Sequence, residues 1–187
     1  MLADTPKSYG WITILVHWIS TALVIGIFGI GFYMVDLSYY DDGYHELPKL
    51  HVSLGLLLGF LMVLRVLWRT LNRGKPKPLE SHTRLIRLLA GSMKYALYLL
   101  IFTMIATGYL ITTAKGDPAE IFDLIAIPAT LQLGSDGVDL LGEVHRIVGW
   151  LIMVLAAAHA GAAIWHHFVI RDITLKRMLK PQASEQP

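Results

Sequence analysis

The stretch Glu143–Val169, EVHRIVGWLIMVLAAAHAGAAIWHHFV, limits what this chain can become more than any other, because it is apolar over a bilayer-spanning length yet carries His145 and His159 inside it. A helix needs about 20 predominantly apolar residues to cross a membrane. The two histidines are fourteen positions apart. On an α-helix that is about 21 Å of rise and close to four whole turns, so both imidazoles leave roughly the same face at opposite membrane depths. Polar groups in hydrocarbon are costly and usually functional, and two stacked imidazoles need partners on other helices.

Three further apolar runs supply those helices. The spans are expected at about 11–35, 50–70, 88–113 and 143–169, in a chain that is 55% hydrophobic, 16% charged and has a mean hydropathy of +0.53. These values exclude an ordinary soluble domain. The expected fold is all-α: one integral membrane four-helix bundle over residues 1–187. The first run is too long for a signal-peptide core and has no strongly basic leader, so it is expected to be retained. Cysteine is absent, which removes disulfides, thiolate-held iron–sulfur clusters and c-type haem attachment together. No internal repeat is visible, and the only low-complexity tract is a short polar tail after Lys180.

Charge sets the expected orientation. Of the sixteen Lys and Arg residues, only Lys49, Lys115 and Arg146 fall outside the set formed by the termini, the second loop with its Arg73, and the adjoining helix ends. By the positive-inside rule both termini and the second loop should face the cytoplasm. Ten of the fourteen acids lie with the three outer bases, which leaves the outer side at a net −7.

The first span places His17 within its first turns, flanked by Trp11 and Trp18 suited to an interfacial belt, and Pro48 is placed to open the second, just before His51. Arg65 and Arg69, four apart on the second span, have two readings: snorkelling to lipid phosphate or pairing with anionic groups of a cofactor. The proline-broken basic loop NRGKPKPLESHTR suits a surface of anionic lipid. The third span has no histidine, only Lys94, Tyr95, Tyr98 and Tyr109 among its larger polar groups, and reads as scaffold with Ala106, Thr107 and Gly108 allowing close packing. The connection from Ala114 to Gly142 is the longest, and its apolar IFDLIAIPATLQL could rest on the membrane or cover the bundle end.

Depth separates the eight histidines. His45, His82, His166 and His167 fall in loops or at the end of the fourth span and read as ordinary exposed residues. His17, His51, His145 and His159 lie within spans, two in each half of the membrane. Pairing by depth gives His51 with His145 on the outer side and His17 with His159 on the inner side. Two opposed imidazoles across a gap between helices form an axial clamp for haem iron. The residue one turn after each is small, Thr21, Gly55, Gly149 and Ala163, as a recess for a flat macrocycle requires. Two histidines alone leave zinc or copper short of their usual coordination, and no carboxylate lies at depth. Paired intramembrane charges or broken helices of a transporter are missing. So are a nucleophile with its base, a phosphate-cradling loop and any sign of a nucleic-acid partner.

HWISTALV around His17, LHVSLGLLLGFLMVLRVLWR around His51 and EVHRIVGWLIMVLAAAHAGAAIWHHF around His145 and His159 together resemble the bacterial cytochrome b561 family, over nearly the whole length. The resemblance implies a four-helix membrane protein of the inner membrane with two haem b groups. Each would be held by two histidines, with His17, His51, His145 and His159 as metal ligands and no separate catalytic residue. It further implies single-electron transfer to or from a quinone such as ubiquinone in respiratory electron transport, with an electron donor on the outer side. One branch of the family oxidises superoxide with ubiquinone, and an alternative role is the haem-bearing membrane anchor of a larger dehydrogenase or hydrogenase. Many members carry a histidine early in the third helix where this chain has Lys94. Because superoxide is an anion, the acidic outer side leads us to expect a poor superoxide oxidase, better suited to a basic protein or a neutral donor. Arg146, beside His145, is expected to meet a haem propionate.

Overall fold

A computed structural model describes residues 1–72, 74–79 and 81–182. Arg73 of the expected inner loop, and all of the polar tail beyond Gln182, lie outside the described residues. Four long helices dominate: α1 (Trp11–Met34), α2 (Glu46–Leu71), α3 (Arg84–Thr112) and α4 (Ser135–Trp165). All four are long and apolar enough to cross a membrane. Runs of Leu, Ile, Val and Ala without internal proline favour unbroken helix, and Pro48 sits in the first turn of α2, where no helical bond is lost. α3 opens on Thr83, whose hydroxyl accepts from the Ile86 amide at 3.3 Å.

The apolar surface is turned outward. Phe32, Leu67, Leu99 and Val154 are all more than half exposed or close to it, which in water would be untenable and in lipid is the stable arrangement. Ile27, Leu58 and Met62 form a buried cluster, flanked by Leu54, Tyr98, Ile101 and Phe102, where α1, α2 and α3 meet. Close helix contact joins α1 to α2 and α3 to α4, whereas α4 stands off from both α1 and α2. That wider gap is where the membrane-depth histidines face one another.

The expectation of an all-α fold needs one correction. Residues Ala119–Ile121 (β1) and Ile125–Ile127 (β2) form an antiparallel hairpin in the outer connection, closed by a turn with Phe122 at φ 50° and Asp123 at φ 56°. Two consecutive positive φ values make the tight turn that matches strand twist. Ser53 of α2 anchors the hairpin: its hydroxyl donates to the Glu120 carbonyl at 3.3 Å and accepts from the Phe122 amide at 3.0 Å. The α3–α4 connection therefore packs against the end of α2, two residues from His51. α4 begins at Ser135, eight residues before the apolar run, because the segment SDGVDLLG continues the same helix.

At the other end, the N-terminal segment, the α2–α3 loop and the C-terminal segment are tied together. The buried Arg177 guanidinium donates to the Lys77 carbonyl at 3.0 Å and the Lys7 carbonyl at 3.1 Å. Ser8 accepts from the Gln182 amide at 2.7 Å, and the Trp18 indole donates to the Met178 carbonyl at 2.7 Å. The N-terminal segment, the basic loop and the described C-terminal residues thus share one end of the bundle, in keeping with the charge pattern.

Candidate functional site

α4 presents His145 to His51 of α2 and, on the same face toward the other end, His159 to His17 of α1. The ring centroids of His51 and His145 are 6.2 Å apart at 61°, and those of His17 and His159 are 6.4 Å apart at 77°. All four histidines singled out in the spans are therefore brought into the two pairs expected from depth. His17, His51 and His145 are half-buried, and His159 is exposed.

These separations can be tested against a metal held between two imidazoles. With metal–nitrogen bonds of about 2.0–2.1 Å and ring centres roughly 1.1 Å behind the ligating nitrogens, opposed rings stand about 6.3 Å apart. Both pairs match. Beside Gly55, one turn after His51 on α2, there is open space, since a Cβ there would meet no atom within 4 Å. Gly149 is different: Met104 Cε lies 3.6 Å and Phe28 Cδ2 3.9 Å from where its Cβ would be, so it is a packing position. Thr21 bonds back to its own helix, donating to the His17 carbonyl at 2.9 Å.

The outer pair is oriented for ligation by its neighbours. His51 Nδ1 lies 3.1 Å from the Ile27 carbonyl, which can only accept, so the proton sits on Nδ1 and the Nε2 lone pair is free. His145 Nδ1 lies 2.9 Å from the Thr107 hydroxyl, which spends its own proton on the Thr103 and Met104 carbonyls at 2.9 and 3.1 Å. His145 must therefore donate through Nδ1 as well, again leaving Nε2 available. Fixing the second nitrogen in this way sets both tautomer and ring orientation at a metal site. Two glycines admit the rings: a Cβ on Gly31 would lie 2.8 Å from His51 Cε1, and one on Gly108 would lie 3.1 Å from His145 Cε1.

The inner pair carries a different neighbour. Arg65 reaches from α2 with Nη1 donating to the Ser20 hydroxyl at 2.8 Å and Nη2 3.0 Å from His17 Nδ1, and its guanidinium lies 5.6 Å from the Tyr98 ring centre. A guanidinium has no acceptor, so here His17 Nδ1 accepts. Snorkelling to lipid is thus not what Arg65 does, whereas Arg69 lies in the last turn of α2. Lys94 rests over the Tyr95 ring at 4.6 Å. Arg146 pairs with exposed Glu143 one turn away, at 2.5 and 2.9 Å.

Two sequence readings need revision. α3 is more than scaffold, because Thr107 and Gly108 hold and admit His145. The signal was there in two small residues one helix over from the histidine, but no sequence rule says which neighbour a small residue faces. His82 and His166 are not ordinary exposed histidines either: both are half-buried and converge on Asp172, at 3.1 and 2.6 Å. His45 is exposed as expected, and His167 is half-buried.

Against known proteins, a family model described as prokaryotic cytochrome b561 matches residues 8–181. The chain is 43% identical over 182 residues to cytochrome b561 homolog 2 of Escherichia coli (strain K12), covering 97% of this chain and 96% of that one. It is also 28% identical over 175 residues to a probable superoxide oxidase CybB of Yersinia pestis, covering 92% and 96%.

Proposed function

The chain belongs to the prokaryotic cytochrome b561 family of membrane electron-transfer cytochromes, and on that premise we propose that it is a di-haem b-type cytochrome linking an outer-side donor to the quinone pool. In this reading His51 and His145 hold the outer haem and His17 and His159 the inner one, in a bacterial inner membrane with both termini cytoplasmic. The observation that carries it is the pair of ring separations, 6.2 and 6.4 Å, stacked on one helix.

Haem held by these histidine pairs would supply reversible one-electron chemistry. The chain's own contribution is orientation and exclusion of water. The Ile27 carbonyl and the Thr107 hydroxyl keep the outer imidazoles with Nε2 toward the gap. Four apolar helices would limit water in the gap, and the hairpin held by Ser53 packs at the His51 end of α2. If the inner pair held a haem through Nε2, the His17 proton would sit on Nδ1, and Arg65, keeping its bond to Ser20, could turn Nη2 toward a cofactor carboxylate.

Quinone, with ubiquinone the first to try, is the proposed exchange partner within the bilayer. The assay is reconstitution in liposomes containing ubiquinone, with candidate donors added outside and haem and quinone redox state followed together. Quinone-linked turnover by the isolated protein supports the reading. Haem reduction that requires a co-purifying soluble subunit would instead make the chain a membrane anchor of a larger dehydrogenase or hydrogenase.

A second reading, superoxide as donor, rests on the printed name of the Yersinia pestis relative. The outer side counts three bases against ten acids, a net −7, and Glu143 occupies Arg146, leaving Lys49 and Lys115 as the attractive charges. Charge steering changes association rates by roughly 10- to 1000-fold, so superoxide should react slowly and faster as salt screens the repulsion. Stopped-flow haem reduction at two ionic strengths decides it: a near-diffusion-limited rate that falls with salt would make superoxide the donor.

A further inference from the structure

Away from the four histidines in the spans, a second cluster with metal-ligand chemistry sits at the end of the bundle that carries both termini. His82 Nε2 and His166 Nδ1 both meet Asp172 Oδ2, at 3.1 and 2.6 Å. The three ligand atoms all lie within 4.8 Å of one another, and the imidazole rings are 5.1 Å apart. All three side chains are withdrawn from solvent, at 14%, 14% and 9% exposure.

The local backbone is shaped to make this convergence. His166 starts a π-helical turn over His166–Ile170, Arg171 takes a left-handed φ of 60°, and the chain reverses so that the Asp172 amide reaches the His166 carbonyl at 3.0 Å. Left-handed geometry is unfavourable for a residue with a Cβ, and π turns inside α-helices collect at functional sites. The Thr174 amide holds Asp172 Oδ1 at 2.8 Å, which fixes the carboxylate plane and leaves Oδ2 for the two rings. Burial opposes ionisation of Asp172, but hydrogen bonds from His166, Thr174 and His82 outweigh it and hold the carboxyl below the usual carboxylate range. His82 lies just before the Thr83 cap of α3, so the cluster joins the start of α3 to the end of α4.

We propose that His82, His166 and Asp172 form a binding site for a zinc-class divalent cation that clips the inner α2–α3 loop to the end of α4. Two imidazoles and one carboxylate with a fourth position open to water are a common zinc donor set. Bonds of about 2.0–2.1 Å in a tetrahedron place ligand atoms about 3.3 Å apart, so the two contacts to Asp172 Oδ2, at 3.1 and 2.6 Å, each need to lengthen by less than an ångström. Binding requires the lone pairs of His82 Nε2 and His166 Nδ1 to face the ion. Each ring supplies that by moving its proton to its other nitrogen, without opening the fold.

The site is tested on the full-length haem-loaded protein in detergent, with any affinity tag of histidines removed. After equilibration with zinc chloride and desalting, elemental analysis should find one zinc per chain beside the iron. His82→Gln and Asp172→Asn should each reduce zinc affinity at least about tenfold with the haem spectrum unchanged, while exposed His45→Gln keeps it. Equal zinc uptake by wild type and the double variant, or none in either, would overturn the site and leave a hydrogen-bonded brace only. Should a variant lose its haem, X-ray absorption at the zinc edge of the wild type decides: two imidazole nitrogens with oxygen neighbours support the site, and a shell without imidazole overturns it.

Discussion

Gly31→Ala gives a sharp test of how the outer pair is built. In an exposed stretch of helix this change is stabilising, by roughly 1 kcal/mol of propensity. At Gly31 the added Cβ would stand 2.8 Å from His51 Cε1 and 3.2 Å from Nδ1, so the ring must retreat by about 0.7 Å to restore an ordinary contact of about 3.5 Å. That retreat strains the Ile27 bond and withdraws Nε2 from the axis shared with His145. Overpacking of this kind costs about 1–3 kcal/mol, equivalent to roughly 5- to 150-fold in affinity. Gly26 and Gly29 lie on the same helix with no atom within 4 Å of the added Cβ, so their alanine variants are internal controls. Haem per chain and reduced-minus-oxidised spectra, followed during titration with a competing haem acceptor, should show the outer component weakened in Gly31→Ala and the inner one unchanged. Equal retention of both haems in Gly31→Ala and Gly29→Ala would refute the reasoning, as would selective loss of the inner component.

Three other outcomes follow from the same geometry. His51→Ala and His145→Ala should delete one spectral component and His17→Ala and His159→Ala the other; a component shared by His17 and His51 would break the pairing. Thr107→Val removes the acceptor for His145 Nδ1 and should weaken outer haem binding by about 10- to 100-fold, with Thr107→Ser restoring it, as read by haem transfer to an acceptor protein. Ser53→Ala loses both hydrogen bonds to the hairpin, worth about 1 kcal/mol each, and should raise hydrogen–deuterium exchange at residues 119–127 several-fold while leaving the inner haem spectrum alone.

The spans and the two histidine pairs were legible because each depends on a period or a length: 3.6 residues per turn fixes which faces agree, and bilayer thickness fixes how many apolar residues a crossing takes. What the sequence hid was contact between chains of residues far apart. Gly31 and Gly108 look like any helical glycine, and only the packed structure shows an imidazole edge against each. The convergence of His82 with Asp172, ninety positions away, depends on a π turn and a left-handed Arg171. No pattern of hydrophobicity encodes such a reversal. Hydropathy marks the apolar run of α4 and not the helix itself, which extends through Ser135–Gly142. The hairpin escaped for a related reason: its turn uses Phe122 and Asp123 at positive φ in place of the Asn-Gly pair that announces such a turn.

The central claim, two irons each held by two of the four histidines in the spans, is measured most directly by electron paramagnetic resonance of the oxidised wild-type protein together with its haem-to-chain ratio. The account predicts two haems per chain and two low-spin ferric signals, with no high-spin iron and no rapid carbon monoxide binding after reduction. One haem per chain, or a substantial high-spin signal from the intact protein, would contradict it.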